Sequence, residues 1–229
     1  MRTVATKPAT AKPLGFTVVR VPFFLEPDYP RSESFEESNY DRLVRKWGGA
    51  AQFEAQKRRH RLKERGQEVG IMHFKLDRIA SSTFASHRLV QWVTKTRGIN
   101  QAEALYNEIN HRHFEKGQKL NDFAMLCEAA NNVGLNASEV AAFLGTDEGT
   151  SNIIAAQKIL SDLQIHSIPT FIIGGNMVAS GALHADELER IFRQIESTGE
   201  GAPGSVFQEA LGIPDHVLQE RLRFGDGSL

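Results

Sequence analysis

The middle of the chain shows apolar positions at the three- and four-residue spacing typical of α-helices. One helix is predicted to begin after the possible caps Ser81–Thr83 and to end at Gly98. Further helices are predicted at 101–115, 120–133, 137–144 and 149–164. Because Gly, Asn or Asp separates each predicted helix from the next, residues 77–164 are expected to form an almost purely helical block.

Extended structure is predicted on both sides of this block. Phe16–Phe24 is rich in β-branched and aromatic residues, which favours a strand that leaves its sheet near Pro22. Pro169–Ile173 and Met177–Ala179 flank Gly174-Gly175-Asn176, residues that tolerate a tight turn, and this pattern predicts a β-hairpin.

The remaining segments show weaker patterns. Helices are predicted around Tyr40–Trp47 and across 50–65, whereas Ile71–Leu76 alternates apolar and polar residues and is expected to be extended. An amphipathic helix is predicted at His184–Ile195. One strand, a helical block, a hairpin and a final helix together indicate an α/β fold with a helical insertion at about 77–164.

The two termini differ from the central domain, which is predicted to cover 16–197. Residues 1–15 are rich in Thr, Ala, Lys and Pro, and we expect a disordered leader there, with a cytoplasmic location favoured over organellar targeting. Residues 198–229 are expected to be a linker and a short helical tail, whose apolar positions within 205–224 suit either packing on the domain or docking of a partner.

Charge and cysteine content narrow the possible functions. The chain has 229 residues, with 27 Lys and Arg against 28 Asp and Glu, so its net charge of −1 disfavours binding to nucleic acid or to an anionic membrane. No apolar stretch is long enough for a membrane helix. Cys127 is the only cysteine, which excludes an internal disulfide and any metal site built from several cysteines.

Ser167–Ile173 is the segment most indicative of function. Pro169 is expected to be the first residue of a strand that directly follows a loop, where the Ile168–Pro169 bond is predicted to be cis. Two interpretations stand at this point: a proline that only opens the strand, or a loop whose exposed backbone pairs with an extended ligand.

Several further motifs occur in a fixed order: Glu26-Pro27-Asp28-Tyr29-Pro30, Gly70-Ile71-Met72-His73-Phe74, Thr83-Phe84-Ala85-Ser86-His87-Arg88-Leu89, Phe114-Glu115-Lys116-Gly117, and the Ile168–Pro169 loop ending in Ser180-Gly181-Ala182. This ordered set, which covers about Phe16–Ile195, resembles the DsbA-like thioredoxin family. Within it, the set is most similar to the FrnE branch, which is related to kappa-class glutathione transferases and 2-hydroxychromene-2-carboxylate isomerases.

The resemblance implies a thioredoxin-like fold and a disulfide oxidoreductase. Members of the family carry Cys-x-x-Cys after their first strand, and this chain has no such motif, so that strand, the redox motif and the first helix are expected to be missing. Cys127 is interpreted as a core residue, which leaves no catalytic residue assigned. The sequence alone therefore leaves open whether the chain is an enzyme.

The resemblance also suggests ligand-binding residues: Ile168, Pro169, Thr170 and His87. Three functions remain open: thiol–disulfide oxidoreductase acting on proteins or small thiols, kappa-type transferase or isomerase using glutathione, and non-catalytic module binding extended peptides. No metal or obligatory cofactor is expected, and no oligomeric state is predicted.

Two polar clusters have competing interpretations. Lys57–Arg65 carries six Lys or Arg residues against one Glu, which suits phosphate or an acidic partner, but without aromatic residues among them a solvated helix face is favoured. His111 and His113 resemble a metal pair, yet positions i and i+2 of a helix point in different directions, so metal binding is disfavoured.

Overall fold

The computed structural model of the protein describes residues 1–175, 177–201 and 204–224. The chain divides into two compact units. Unit 1 contains Met1–Phe23, Gln91–Ala102 and the described residues from Gly149 onward; unit 2 contains Phe24–Val90 and Glu103–Glu148.

The helices, in chain order, are α1 (Arg2–Thr6), α2 (Asn39–Lys46), α3 (Ala50–His60), α4 (Leu62–Glu68), α5 (Phe84–Arg97), α6 (Ile99–Phe114), α7 (Phe123–Asn132), α8 (Ala137–Leu144), α9 (Thr150–Asp162), α10 (Ala185–Thr198), α11 (Gln208–Leu211) and α12 (Asp215–Gln219). The strands are β1 (Glu37–Ser38), β2 (Ile79–Ala80), β3 (Thr170–Ile173) and β4 (Met177–Ser180). β1 pairs with β2 and β3 with β4, both antiparallel.

The predicted helical block is confirmed as α5 to α9, preceded only by the two-residue strand β2. Side-chain caps fix where two of these helices begin: α7 starts three residues after the predicted 120, and α8 starts at the predicted 137. Asp122 accepts a hydrogen bond from the backbone N–H of Met125, and Asn136 accepts one from Ser138. Such side-chain caps satisfy donors that the first turn of a helix leaves unpaired.

The prediction that Phe16–Phe24 is a strand is wrong. Its backbone is bonded to side chains and to the C-terminal tail rather than to a neighbouring strand. The amide of Gln91 donates to the carbonyl of Arg20, that of Gln157 to Pro22, and the backbone N–H of Leu222 to Phe16. These bonds satisfy carbonyl groups without forming a ladder, because each comes from a different element.

The N-terminal leader also differs from the expectation of disorder. Residues 1–15 begin with α1, in which Val4 is fully buried. Farther along, the backbone N–H of Ala9 donates to Glu196 Oε1 of α10 at 2.9 Å. A buried apolar side chain and a long-range hydrogen bond fix this segment, and composition alone does not reveal either contact.

Two further segments differ from their predicted structure. Ile71–Leu76 is a series of turns, because the N–H of Ile71 bonds to the carbonyl of Gly66 and the N–H of Lys75 to that of Phe114. The helix predicted across 50–65 is interrupted at Arg61, whose φ of 46° is left-handed and separates α3 from α4.

The core of unit 1 includes the C-terminal tail. It is formed by buried residues of α6, α9, the two tail helices and the residues next to them: Ile99, Ala156, Leu160, Phe207, Leu211, Ile213 and Val217. Val19, Val21 and Phe23 pack against this cluster, as does Ile172 of β3. The sequence left open whether the tail packs on the domain or docks a partner. In the structure the tail packs within its own unit.

No helix in the described part of the chain combines the length and apolar character needed to cross a membrane.

Candidate functional site

The loop that precedes β3 has an exposed apolar residue beside a closed hairpin base. The Ile168–Pro169 bond is cis, and 50% of the surface of Ile168 is exposed. The carbonyl of Pro169 accepts a hydrogen bond from the N–H of Gly181 at 2.9 Å, and Thr170 Oγ1 donates to the carbonyl of Ser167 at 2.8 Å. Both bonds hold the loop against the hairpin while Ile168 faces solvent.

β3 has a backbone edge that its hairpin partner does not use. Phe171 pairs with Ala179, and hydrogen-bonded pairs alternate with non-bonded pairs along an antiparallel ladder. Because the Pro169–Gly181 bond fixes the phase of that alternation, the N–H and C=O groups of Thr170 and Ile172 point away from β4. Within the described residues β3 pairs with no other strand. Such an edge can pair with an extended peptide.

His87 lies in unit 2, in the first turn of α5, whereas Ile168, Pro169 and Thr170 form one continuous loop in unit 1. The imidazole ring of His87 is half-buried and meets the ring of Phe24 edge-on, with 5.4 Å between centroids. Phe24 in turn stacks on Phe84. These contacts give His87 an aromatic setting within its own unit.

Cys127 is a half-buried thiol in α7. Its neighbours in sequence, Met125, Leu126 and Ala129, are buried, which agrees with a largely structural helix face. Burial, with a smaller contribution from the carboxylate of Glu33, raises the pKa of the Cys127 thiol. A raised pKa leaves little thiolate at neutral pH, so this thiol is a poor nucleophile.

Arg88 is a buried residue whose role the sequence does not reveal. It follows His87 in α5, and its guanidinium donates to the carbonyls of Glu148, Thr146 and Phe143. These carbonyls lie at the end of α8 and in the loop after it, so Arg88 holds that loop in place. Burial lowers the pKa of Arg88. No local pattern distinguishes an arginine of this kind from an exposed one.

The two histidines of α6 occupy different environments. His111 is exposed and its Nδ1 lies 2.8 Å from Glu115 Oε1, whereas His113 is buried and accepts a hydrogen bond from Arg78 Nε at 3.0 Å. Burial lowers the pKa of His113 to about 4. Across 1–175, 177–201 and 204–224, no group of three or more His, Cys, Asp or Glu residues could hold a metal ion.

Comparison with known families gives the class of protein that this fold defines. The model of the DSBA-like thioredoxin domain matches residues 2–193, so the chain belongs to that family. The fold is thioredoxin-like, of the DsbA type, with a helical insertion.

Among solved structures, the chain is similar to a probable DsbA oxidoreductase from Streptomyces coelicolor. The two share 25% sequence identity with a TM-score of 0.65, over 75% of this chain and 72% of that one. No curated protein matches the chain. Together the family and this structure support a fold of the thiol–disulfide oxidoreductase type.

Proposed function

We propose that these 229 residues bind extended polypeptides of the kind that disulfide oxidoreductases act on, and that they do not turn over a disulfide by themselves. The free edge of β3 beside Ile168 carries this proposal. A peptide in extended conformation supplies alternating N–H and C=O groups that can pair with those of Thr170 and Ile172, which no strand of the described residues pairs on that edge. Ile168 and Pro169 then offer an exposed apolar contact for one of its side chains.

The activity that the family resemblance implies is that of a disulfide oxidoreductase of the FrnE type. Such an enzyme forms a mixed disulfide when one thiolate attacks a substrate disulfide and displaces a substrate thiolate. A second cysteine then attacks the enzyme sulfur and releases the reduced substrate. The chain has only Cys127, so it can perform the first of these two steps and not the second.

Cys127 is also poorly suited to the first step, because its raised pKa keeps it protonated at neutral pH. Glutathione would resolve a mixed disulfide on Cys127 by attacking the substrate sulfur, which would release the Cys127 thiolate and leave a glutathione–substrate disulfide. Our proposal therefore separates binding from turnover: binding rests on the β3 edge, and turnover would need Cys127.

The binding half is tested with the full chain labelled with ¹⁵N and an unstructured model peptide of alternating Val and Thr. We expect the backbone amide signals of Thr170 and Ile172 to shift on titration, since they gain hydrogen bonds. In a matched peptide every backbone nitrogen is N-methylated, which removes the donors from both edges of the strand. This peptide should lose binding, whereas the unmethylated peptide should keep it.

Each outcome bears on the proposal. Equal binding of the methylated and unmethylated peptides would exclude strand pairing at β3. Shifts confined to residues away from 168–173 would place the peptide elsewhere and overturn the proposed site. Glutathione, the ligand of the kappa-type alternative, is titrated in parallel. If glutathione alone shifts the Thr170 and Ile172 signals and the peptides do not, a small-thiol ligand replaces the peptide.

A further inference from the structure

We propose that the surface formed by the exposed side chains of Lys57–Arg65, called here the basic surface, binds an acidic segment of another polypeptide. Its nine residues carry six Lys or Arg side chains and one Glu, while the whole chain has a net charge of −1. All of these side chains are exposed except that of His60, which is half-buried. The surface is therefore a concentrated positive region on a nearly neutral protein.

The protein's own carboxylates neutralise little of this charge. Lys57 Nζ lies 3.7 Å from Glu54 Oε1, and Arg61 Nε lies 3.9 Å from Glu64 Oε1. These are long, exposed contacts of little energetic value. For Arg58, Arg59, Lys63 and Arg65, no carboxylate of the described residues lies within 4.0 Å. Six like charges within nine residues repel one another, and a ligand with negative charges would relieve that repulsion.

The backbone that presents these charges is ordered by specific contacts. The N–H of Arg61 bonds to the carbonyl of Lys57, and the N–H of Arg65 bonds to that of Arg61. Hydrogen bonds therefore fix the bend between α3 and α4 on both sides of Arg61. Gly66 is buried, and a Cβ there would lie 3.2 Å from the carbonyl oxygen of Ile71. This close approach docks α4 onto the turns that follow it, which reduces the ordering cost of binding.

Exposed apolar residues lie on and beside the basic surface. Leu62 of α4 is exposed, and Val69, directly after α4, exposes 74% of its surface. Met72 is exposed in the turns that follow, and the exposed ring of Trp47 lies 6.1 Å from that of His60. A ligand with apolar side chains among its acidic residues would use both kinds of contact.

This combination favours a polypeptide over nucleic acid or a bilayer. Residues 57–65 contain no Phe, Tyr or Trp, and the single exposed ring of Trp47 beside them does not give successive bases a stacking platform. Arg58 and Arg59 are about 100° apart around α3, and Lys63 and Arg65 are about 200° apart around α4, as helix geometry requires. Charges spread around two short helices do not form one flat face for a planar bilayer. A flexible acidic chain can follow the bend and reach them.

The test uses the full chain and a fluorescein-labelled peptide of repeated Glu-Glu-Leu units, followed by fluorescence anisotropy. We expect saturable binding that weakens as salt is added, and no binding of the matched Gln-Gln-Leu peptide. The double variant Arg58→Glu/Arg59→Glu should weaken binding by about tenfold or more, the effect of roughly 1.4 kcal/mol from two reversed surface charges. The control Lys158→Glu/Arg190→Glu changes the net charge equally at exposed sites elsewhere and should leave the affinity nearly unchanged.

The neutral variant Arg58→Gln/Arg59→Gln guards against a folding defect and should give a smaller loss in the same direction, with unchanged circular dichroism. Single-stranded DNA and vesicles containing phosphatidylserine are measured beside the peptide. Equal or tighter binding of either one, lost in the Arg58→Glu/Arg59→Glu variant, would overturn the proposal in favour of a general polyanion site. No peptide binding, or equal losses in the two double variants, would show a solvated helix surface.

Discussion

Glu220 of the C-terminal tail accepts a hydrogen bond from the backbone N–H of Ile99, the first residue of α6, with 3.1 Å between Oε2 and N. A carboxylate at this position satisfies a donor that the helix itself cannot pair, and it also favours the positive end of the helix dipole. The tail thus caps a helix more than a hundred residues earlier in the chain. This contact explains why the tail behaves as part of unit 1.

Replacing Gly98 with alanine should destabilise unit 1. Gly98 has a φ of +85°, and a Cβ there would lie 2.2 Å from Glu220 Oε1. We expect Gly98→Ala to lower the free energy of unfolding by about 2 kcal/mol, from backbone strain and from displacement of the carboxylate. Gly149→Ala is the matched control, because Gly149 has a φ of +79° with no atom near its Cβ position. Equal losses in urea unfolding would mean that the Glu220 contact contributes nothing.

The buried apolar residues of the tail should also contribute to the free energy of unfolding. Phe207 is only 2% exposed and lies in the core cluster of unit 1. Phe207→Ala should lower the free energy of unfolding by about 3–5 kcal/mol, the usual cost of removing a buried aromatic ring. The neighbouring Val206 is exposed, so Val206→Ala should change stability by less than about 0.5 kcal/mol. Chemical denaturation of the two variants distinguishes a packed tail from a loosely attached one.

Even a conservative replacement of Arg88 should lower the free energy of unfolding. Its guanidinium donates to three backbone carbonyls, and lysine cannot reach all of them with one ammonium group. We expect Arg88→Lys to cost about 2–3 kcal/mol of unfolding free energy, because backbone carbonyls, including the buried one of Phe143, lose their donors. The exposed Arg190 provides the control, since Arg190→Lys should be nearly neutral. A neutral Arg88→Lys would show that water replaces the arginine without cost.

Stability should depend on pH through His113. Its pKa is lowered from 6.5 to about 4 by burial, with the charges of Arg78 and Arg42 acting in the same direction. Between these two pKa values the unfolded chain binds more protons than the folded one, so stability rises with pH. The contribution is complete above pH 6.5 and falls by about 3 kcal/mol as pH drops toward 4.

His113→Gln should remove this dependence, because glutamine does not titrate. The exposed His111 is the control, and His111→Gln should leave the dependence in place. The measurement is urea unfolding between pH 4 and pH 7. If wild-type protein and His113→Gln have the same pH slope, His113 is not buried as a neutral ring.

The helices and the hairpin could be predicted from sequence because their signals are local. Apolar spacing and capping residues place α8 at the predicted bounds, and the glycines before β4 favour a hairpin turn. The strand predicted at Phe16–Phe24 failed for a non-local reason. β propensity describes a residue that suits a sheet, but a strand also needs a neighbour, and here side chains and the tail supply the partners instead.

The candidate site likewise combines a local feature that the sequence predicts with non-local features that it does not. The Ile168–Pro169 loop follows from a proline at the start of a strand, and its position beside β3 is local. The sequence does not show that β4 is the one strand paired with β3 among the described residues, because strand pairing depends on residues far apart in the chain. The sequence likewise could not predict the contacts of Arg88 or the cap formed by Glu220, since each depends on carbonyl or amide groups far away in the chain.

The most direct test of the central proposal is reduction of insulin by glutathione in the presence of the full chain, with Cys127→Ser as the paired variant. We predict that the rate equals that of glutathione alone for both proteins, because the one thiol has a raised pKa and no resolving partner in the chain. A rate well above that of glutathione alone, abolished by Cys127→Ser, would contradict the proposal and identify Cys127 as a nucleophile that glutathione resolves.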